Sequence, residues 1–295
     1  MAWRALFLVG AALLTSTGCD SPGKLPDKSS AEYRNAVSAF NVGLAALQVG
    51  DDVRAQSKLA EVTRLAPGEP AGWANWGVLA LRQRNFDAAS ERLERARDLV
   101  PKNDHIYSLL GILESNRGQS TQAIANLRKA ADFNPKDVRT LYALAQEIER
   151  QGTESSDAEF QHLIQKILAI QPDNLAALLE LGRIAAKRGD ASTLKPTVAR
   201  IASRSTAWPE EAKEQMAALE TAAAGSDLRA AARRTTFLRN VLQRVPEFRQ
   251  SFLELKAPPG EDAQPFNRFL RMESASPLMA AGSSFSEDCA FKVVV

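Results

Sequence analysis

Residues 67–135 read PGEPAGWANWGVLALRQRNFDAASERLERARDLV, then PKNDHIYSLLGILESNRGQSTQAIANLRKAADFN, then P, and their punctuation decides the fold. Pro67, Pro101 and Pro135 recur every 34 residues, and Pro172 follows three residues late. Gly43, Gly77 and Gly111 keep the same step. Between the prolines the apolar residues recur at helical spacing, and few segments alternate as strands do. A fixed period of this length means a chain of repeated supersecondary units, each burying its apolar face against the next.

Working outward, each unit has a small residue where two helices must approach closely: Gly43, Gly77, Gly111, Ala145 and Gly182. Glycine inside a helix costs about 1 kcal/mol relative to alanine, so its recurrence needs a packing reason. Large residues sit four positions before it, at Ala39, Trp73, Tyr107, Leu141 and Leu178, with only the first small. A second helix carries Ala55, Ala89 and Ala123, then Leu59, Leu93, Leu127 and Ile164. Gly50, Gly118 and Gly189 suit the stop between helices, and Asn85 is expected to take the left-handed conformation in unit two. The closing prolines end one pair and begin the turn to the next.

These positions in register resemble the tetratricopeptide repeat (TPR) family. The resemblance implies an all-α fold, an α-solenoid of antiparallel helix pairs, over residues 31–208. Its units are 36–69, 70–103, 104–137, 138–174 and 175–208. The extra residues of the fourth unit are expected in its internal turn, Gly152–Asp157, where an insertion leaves the stack intact. Pro196 and Trp208-Pro209 are expected to break or shift the second helix of unit five.

Beyond the repeats, residues 209–256 read as capping helices, one from Pro209 to about Ala224 and one from Asp227 to about Arg244. The second is basic, with Arg229, Arg233, Arg234, Arg239 and Arg244. It is either the polar outer face of a cap or a site for anionic lipid or an acidic partner. Residues 257–295 have turn residues and no helical period, so a non-helical, extended or disordered tail is expected. Within it, Pro265–Arg271 (PFNRFLR) is loosely similar to the junction where such repeats precede an FG-GAP β-propeller. That resemblance implies an alternative reading: a recognition module truncated or split from a larger envelope protein or enzyme.

The N-terminus reads as an address. Arg4 precedes an apolar run, Ala5–Leu14, whose ten residues span about 15 Å as a helix, short of a bilayer core of about 30 Å. Residues 1–18 are therefore expected to be a signal peptide. Ser16-Thr17-Gly18-Cys19 resembles the lipobox of bacterial lipoproteins, which implies acylation of Cys19 and cleavage after Gly18. The readings beside it are an ordinary export signal and an uncleaved anchor. Residues 19–30, DSPGKLPDKSS after the cysteine, are expected to be a flexible tether. The chain would then be exported and face the periplasm or the cell exterior from a membrane at the cell envelope.

Composition limits the chemistry. A net charge of +2 over 295 residues gives no field for nucleic acid. Two cysteines, Cys19 and Cys289, cannot form a disulfide framework, and His105 and His162 stand alone. No zinc-protease, nucleophile-elbow or phosphate-loop motif is present, so no enzyme, metal, cofactor or small-molecule substrate is expected.

What remains is binding of a protein or peptide segment. In the resembled family, first-helix positions line the concave face. Carried onto this sequence they give Phe40, Leu44 and Leu47 in unit one, and Val78 and Arg82 in unit two. Unit three gives His105 and Asn116. Unit four gives Arg139, Tyr142, Gln146 and Arg150, and unit five gives Arg183 and Lys187. The face grades from apolar to basic, which suits a partner segment apolar at one end and acidic at the other. Phe40 and Leu44 stand where the chaperone-binding members of the family carry a carboxylate clamp. The competing reading is that the C-terminal helices or residues 257–295 fold back over Phe40, Leu44 and Leu47. The whole is expected to be a non-catalytic interaction scaffold serving envelope assembly, secretion or pilus biogenesis.

Overall fold

The computed structural model describes residues 23–225, 227–258 and 261–272, and its regular elements there are all helical. The expected signal peptide, Cys19 and Cys289 lie outside the described residues.

Five antiparallel helix pairs stack in order. They are α1 (Ala31–Val49) with α2 (Asp52–Leu65), α3 (Pro70–Arg82) with α4 (Phe86–Leu99), α5 (Asp104–Asn116) with α6 (Ser120–Phe133), α7 (Val138–Glu149) with α8 (Glu154–Ile170), and α9 (Leu175–Arg188) with α10 (Ala191–Ala202). A short 3-10 turn, Ser205–Ala207, leads to α11 (Glu210–Ala224), α12 (Leu228–Leu242) and α13 (Pro246–Leu255).

Local sequence sets the boundaries. Side chains of Ser30, Asp51, Asn85, Asn103, Asp137 and Asn174 each accept a backbone N–H of the helix they precede. Each satisfies one of the donors that a helix start leaves orphaned. The residues before the four repeat prolines, Ala66, Val100, Asn134 and Gln171, leave the helical region with φ of −134°, −139°, −136° and −124°. Proline disfavours the helical conformation for the residue before it, and α2, α4, α6 and α8 all stop there.

The pairs close on the glycine register. A Cβ on Gly77 would lie 2.7 Å from Leu93 Cγ, and one on Gly111 would lie 2.6 Å from Leu127 Cγ. Those leucines are buried, and they fill the space that glycine leaves.

Several expectations need correction. The extra residues of unit four lengthen α8 to 17 residues, against 14 in α2, α4 and α6, and its turn is only slightly enlarged. Thr153 and Ser156 form a reciprocal capping box at its start, so part of the insertion is helical. Pro196 lies inside α10 without ending it, because buried Leu194, Val198 and Ile201 hold the helix on the core. In unit two the left-handed residue is Arg84, with φ 57°, and Asn85 is the cap of α4 instead. Residues 23–30, expected as part of a tether, include a turn in which Ser30 bonds back to Asp27, and Leu25 packs near Tyr33, Ala66 and Met272.

The C-terminal helices do not simply extend the stack. One apolar core runs from Leu127 through α7–α10 to Leu238, Leu242, Phe248 and Leu255. Packing α12 along α9 and α13 across α9 and α7 brings the chain back onto the concave side.

Candidate peptide-binding groove

The first helices of units one to five present one continuous face. Over units four and five that face is covered by α12 and α13. Ser251 on α13 accepts the Ala176 N–H at 3.1 Å, and Asn174 donates to the Ser251 carbonyl at 2.9 Å. The Ala176 N–H is an orphan donor of the first turn of α9, so α13 completes that helix start. Arg139 reaches the Leu253 carbonyl at 3.4 Å, and Lys256 reaches Gln146 at 3.4 Å.

A charge cluster lies beneath. Arg183 pairs with Glu149 at 2.7 Å and with Glu180 at 2.8 Å, and Arg239 of α12 pairs with Glu180 at 2.9 Å. Tyr142 is buried beside it. Burial, and then the Glu180 carboxylate, push its phenol well above the ordinary tyrosine range.

Over units one to three the cover is residues 261–272. Asn75, fully buried on α3, holds Phe266 by both its backbone N–H and its backbone carbonyl. Its Nδ2 donates to the Phe266 carbonyl at 2.9 Å, and its Oδ1 accepts the Phe266 N–H at 2.6 Å. Glu69, 0% exposed, accepts the N–H groups of Leu270, Arg271 and Met272 at 2.8, 2.9 and 2.6 Å. It also caps α3 through the Ala71 N–H at 3.1 Å. Three consecutive amides around one carboxylate form an anion nest, which supplies the donors that a buried carboxylate requires. His105 Nε2 donates to the Gln264 carbonyl at 2.7 Å, and its ring meets Phe266 edge-on at 4.6 Å. Phe269 lies 4.3 Å from Phe40, centroid to centroid.

Between these two covers a cavity of about 260 Å³ remains. Its walls include Ser108, Ile112 and Asn116 of α5, Arg139 and Gln146 of α7 with Arg150 just after it, and Lys256 and Asp262 beyond α13.

The thirteen groove residues expected from the sequence therefore fall into different environments. Phe40 and His105 lie under residues 261–272, and Leu44 is partly buried against the same apolar cluster. Arg139 reaches Leu253 of α13 and Gln146 meets Lys256, and both also border the cavity, with Tyr142, Arg150 and exposed Asn116. Leu47 is not a groove residue: it is 0% exposed in the core between α1 and α2, with Leu59 and Leu79. Val78 is likewise fully buried, and Arg82 donates to the Leu47 carbonyl. Arg183 is committed to Glu149 and Glu180, Arg150 to Glu147 and Lys187 to Asp157, so most of the expected basic stretch is neutralised within the chain. Residues 261–272 are non-helical but seated, which realises the fold-back reading for Phe40.

The clamps Glu69 and Asn75 were not anticipated. Asn75 stands in the run Trp73-Ala74-Asn75-Trp76, and an amide in an apolar helix is a signal, because burying it demands a partner.

No family model matches the chain. Protein NPGR2 of Arabidopsis thaliana is 26% identical over 170 residues, 57% of this chain and 23% of that protein. Tetratricopeptide repeat protein 37 of Xenopus laevis is 28% identical over 124 residues, 41% of this chain and 8% of that protein. The aligned region thus spans less than a quarter of either curated relative. Among solved structures, PilF of Pseudomonas aeruginosa is similar with a TM-score of 0.53 at 16% identity, over 76% of this chain and 100% of that one. At that identity the likeness concerns the fold alone.

Proposed function

We propose that this chain, a tetratricopeptide-repeat solenoid by fold, is a non-catalytic scaffold that holds a partner protein segment on its concave face, carried at a bacterial envelope by lipid on Cys19. One observation carries the binding part. Residues 261–272 already lie on that face as a non-helical peptide, gripped through their backbone by repeat side chains. A surface that holds one non-helical segment by its amides and carbonyls has the chemistry to hold another. The cavity beside it, edged by Arg139, Arg150 and Asn116, gives a partner a first foothold outside the covered stretches. The anchoring part rests on the N-terminal sequence, where Gly18-Cys19 follows a short apolar run. Several acyl chains at about 0.8 kcal/mol per buried methylene make a stable anchor.

The binding part is tested with a photo-crosslinking residue placed at Asn116 on the concave rim and, as a control, at exposed Gln122 on α6. A protein cross-linked in cells at Asn116 and not at Gln122 supports the reading, and labelling at neither sinks it. Mass spectrometry of the mature N-terminus tests the anchor. Acyl chains on a first residue Cys19 are expected, and an unmodified N-terminus in the soluble fraction would remove the anchor from the account.

A further inference from the structure

Residues 261–272 bury one side chain in three. Ala263, Phe266 and Met272 are 4%, 9% and 3% exposed, and Phe269 is partly buried against Phe40. The residues between them, Gln264, Asn267, Arg268 and Arg271, face solvent. Period three belongs neither to an α-helix nor to a β-strand; the segment is an irregular chain that bends at 262–263, 267–268 and 270–272, and Pro265 lies within it. The repeats supply matching parts. Asn75 reads the N–H and the carbonyl of one residue, Glu69 reads three consecutive N–H groups, His105 reads one carbonyl, and Arg271 donates to the Gly68 carbonyl at 3.1 Å.

These clamps hold backbone, so they do not require this particular sequence. Specificity resides in the apolar seats. We infer that the concave face of units one to three is a site for a non-helical segment with aromatic residues three apart and a further apolar residue three beyond, and that residues 261–272 occupy it as the chain's own ligand. This rests on the scaffold reading and gives the partner a chemistry: an aromatic-x-x-aromatic-x-x-apolar stretch, with no carboxylate beside Glu69. A partner of that pattern enters by displacing the internal segment.

The probe is a fluorescein-labelled synthetic peptide with the sequence of residues 261–272, followed by fluorescence anisotropy. The full chain carrying Phe266→Ala and Phe269→Ala vacates the site. It binds the peptide at least about ten-fold more tightly than the unaltered chain does. Adding Asn75→Leu or Glu69→Gln removes that gain, because each leaves backbone groups of the peptide unmatched. A peptide with its two phenylalanines shifted by one position binds as weakly as to the unaltered chain. Where circular dichroism finds the double variant unfolded, the full chain with a protease site inserted after Pro258 is cut instead, and the labelled peptide exchanges into it. A folded double variant or cut chain that takes up no peptide, or takes the shifted peptide equally well, overturns the inference. If cross-links at Asn116 persist in that outcome, the scaffold reading stands without it; if they are absent too, both fall.

Discussion

At the scale of single residues, the repeat turns show what the 34-residue register requires. Gly50, Gly118, Gly152 and Gly189 have φ of 75°, 75°, 67° and 72°. Arg84 holds the equivalent place in unit two with φ 57°. A side chain in the left-handed region costs about 1–2 kcal/mol, while glycine's extra freedom when unfolded returns part of that. Arg84→Gly is therefore expected to stabilise the protein by roughly 0.5–1 kcal/mol, read as a rise in the urea midpoint. The glycines inside the first helices separate by the room around them. Gly111→Ala forces a Cβ to 2.6 Å from Leu127 Cγ and should destabilise by about 1–2 kcal/mol after the helix-propensity gain is set against it. Gly182→Ala meets nothing nearer than 3.8 Å and should be neutral or stabilising by up to about 1 kcal/mol. Both positions read alike in the sequence. The difference is in the facing side chain, where α10 offers Thr197 and Ile201 instead of a leucine.

At the scale of elements, helix starts and stops were legible because they are local chemistry. Prolines, Asn and Asp caps, and left-handed glycines act within a few residues of themselves. The fate of an insertion was not legible, because adding residues to α8 or to its turn keeps the same pattern of neighbours. Nor was the continuity of α10, since the burial of Leu194, Val198 and Ile201 that holds it through Pro196 comes from other elements. Asp190 ties α10 to α8. It accepts the Thr193 N–H at 3.1 Å, the Ser192 hydroxyl at 2.6 Å and Gln161 of α8 at 2.7 Å. The hydroxyls of Ser192 and Thr193, more than anything else, hold its carboxyl well below the usual aspartate range. A depressed folded value means that the ionised form stabilises the fold. That contribution is full above the unfolded value of about 3.9 and is lost as pH falls through the folded one. Asp190→Ala should cost about 1 kcal/mol at pH 7, and the stability deficit should shrink below about pH 4 in denaturant titrations at several pH values.

At the scale of the molecule, the solenoid was legible and its closure was not. The repeats announce themselves by period, whereas Phe266 meets Asn75 across 191 residues of sequence. Periodicities of 3.6 and 2 reveal helices and strands; the step of three through Ala263, Phe266, Phe269 and Met272 has meaning only against the face that receives it. The same separation explains why Arg139, Arg150 and Arg183 read as free cations in sequence, while Glu147, Glu149 and Glu180 neutralise two of them in the fold. The docking of residues 261–272 is a near balance. Each ordered residue costs about 1–2 kcal/mol, each buried large apolar side chain returns about 1.5–3 kcal/mol, and each hydrogen bond about 1 kcal/mol, more to a carboxylate. A segment held on such terms stays in place unaided and yields to a competitor. Amide hydrogen exchange followed by mass spectrometry tests this most directly. The account predicts that the amides of Phe266, Leu270, Arg271 and Met272 exchange at least about ten-fold more slowly than in a free chain. Asn75→Leu with Glu69→Gln should abolish that protection while α7 and α8 keep theirs. Exchange of residues 261–272 at the free-chain rate in the unaltered protein would contradict the account.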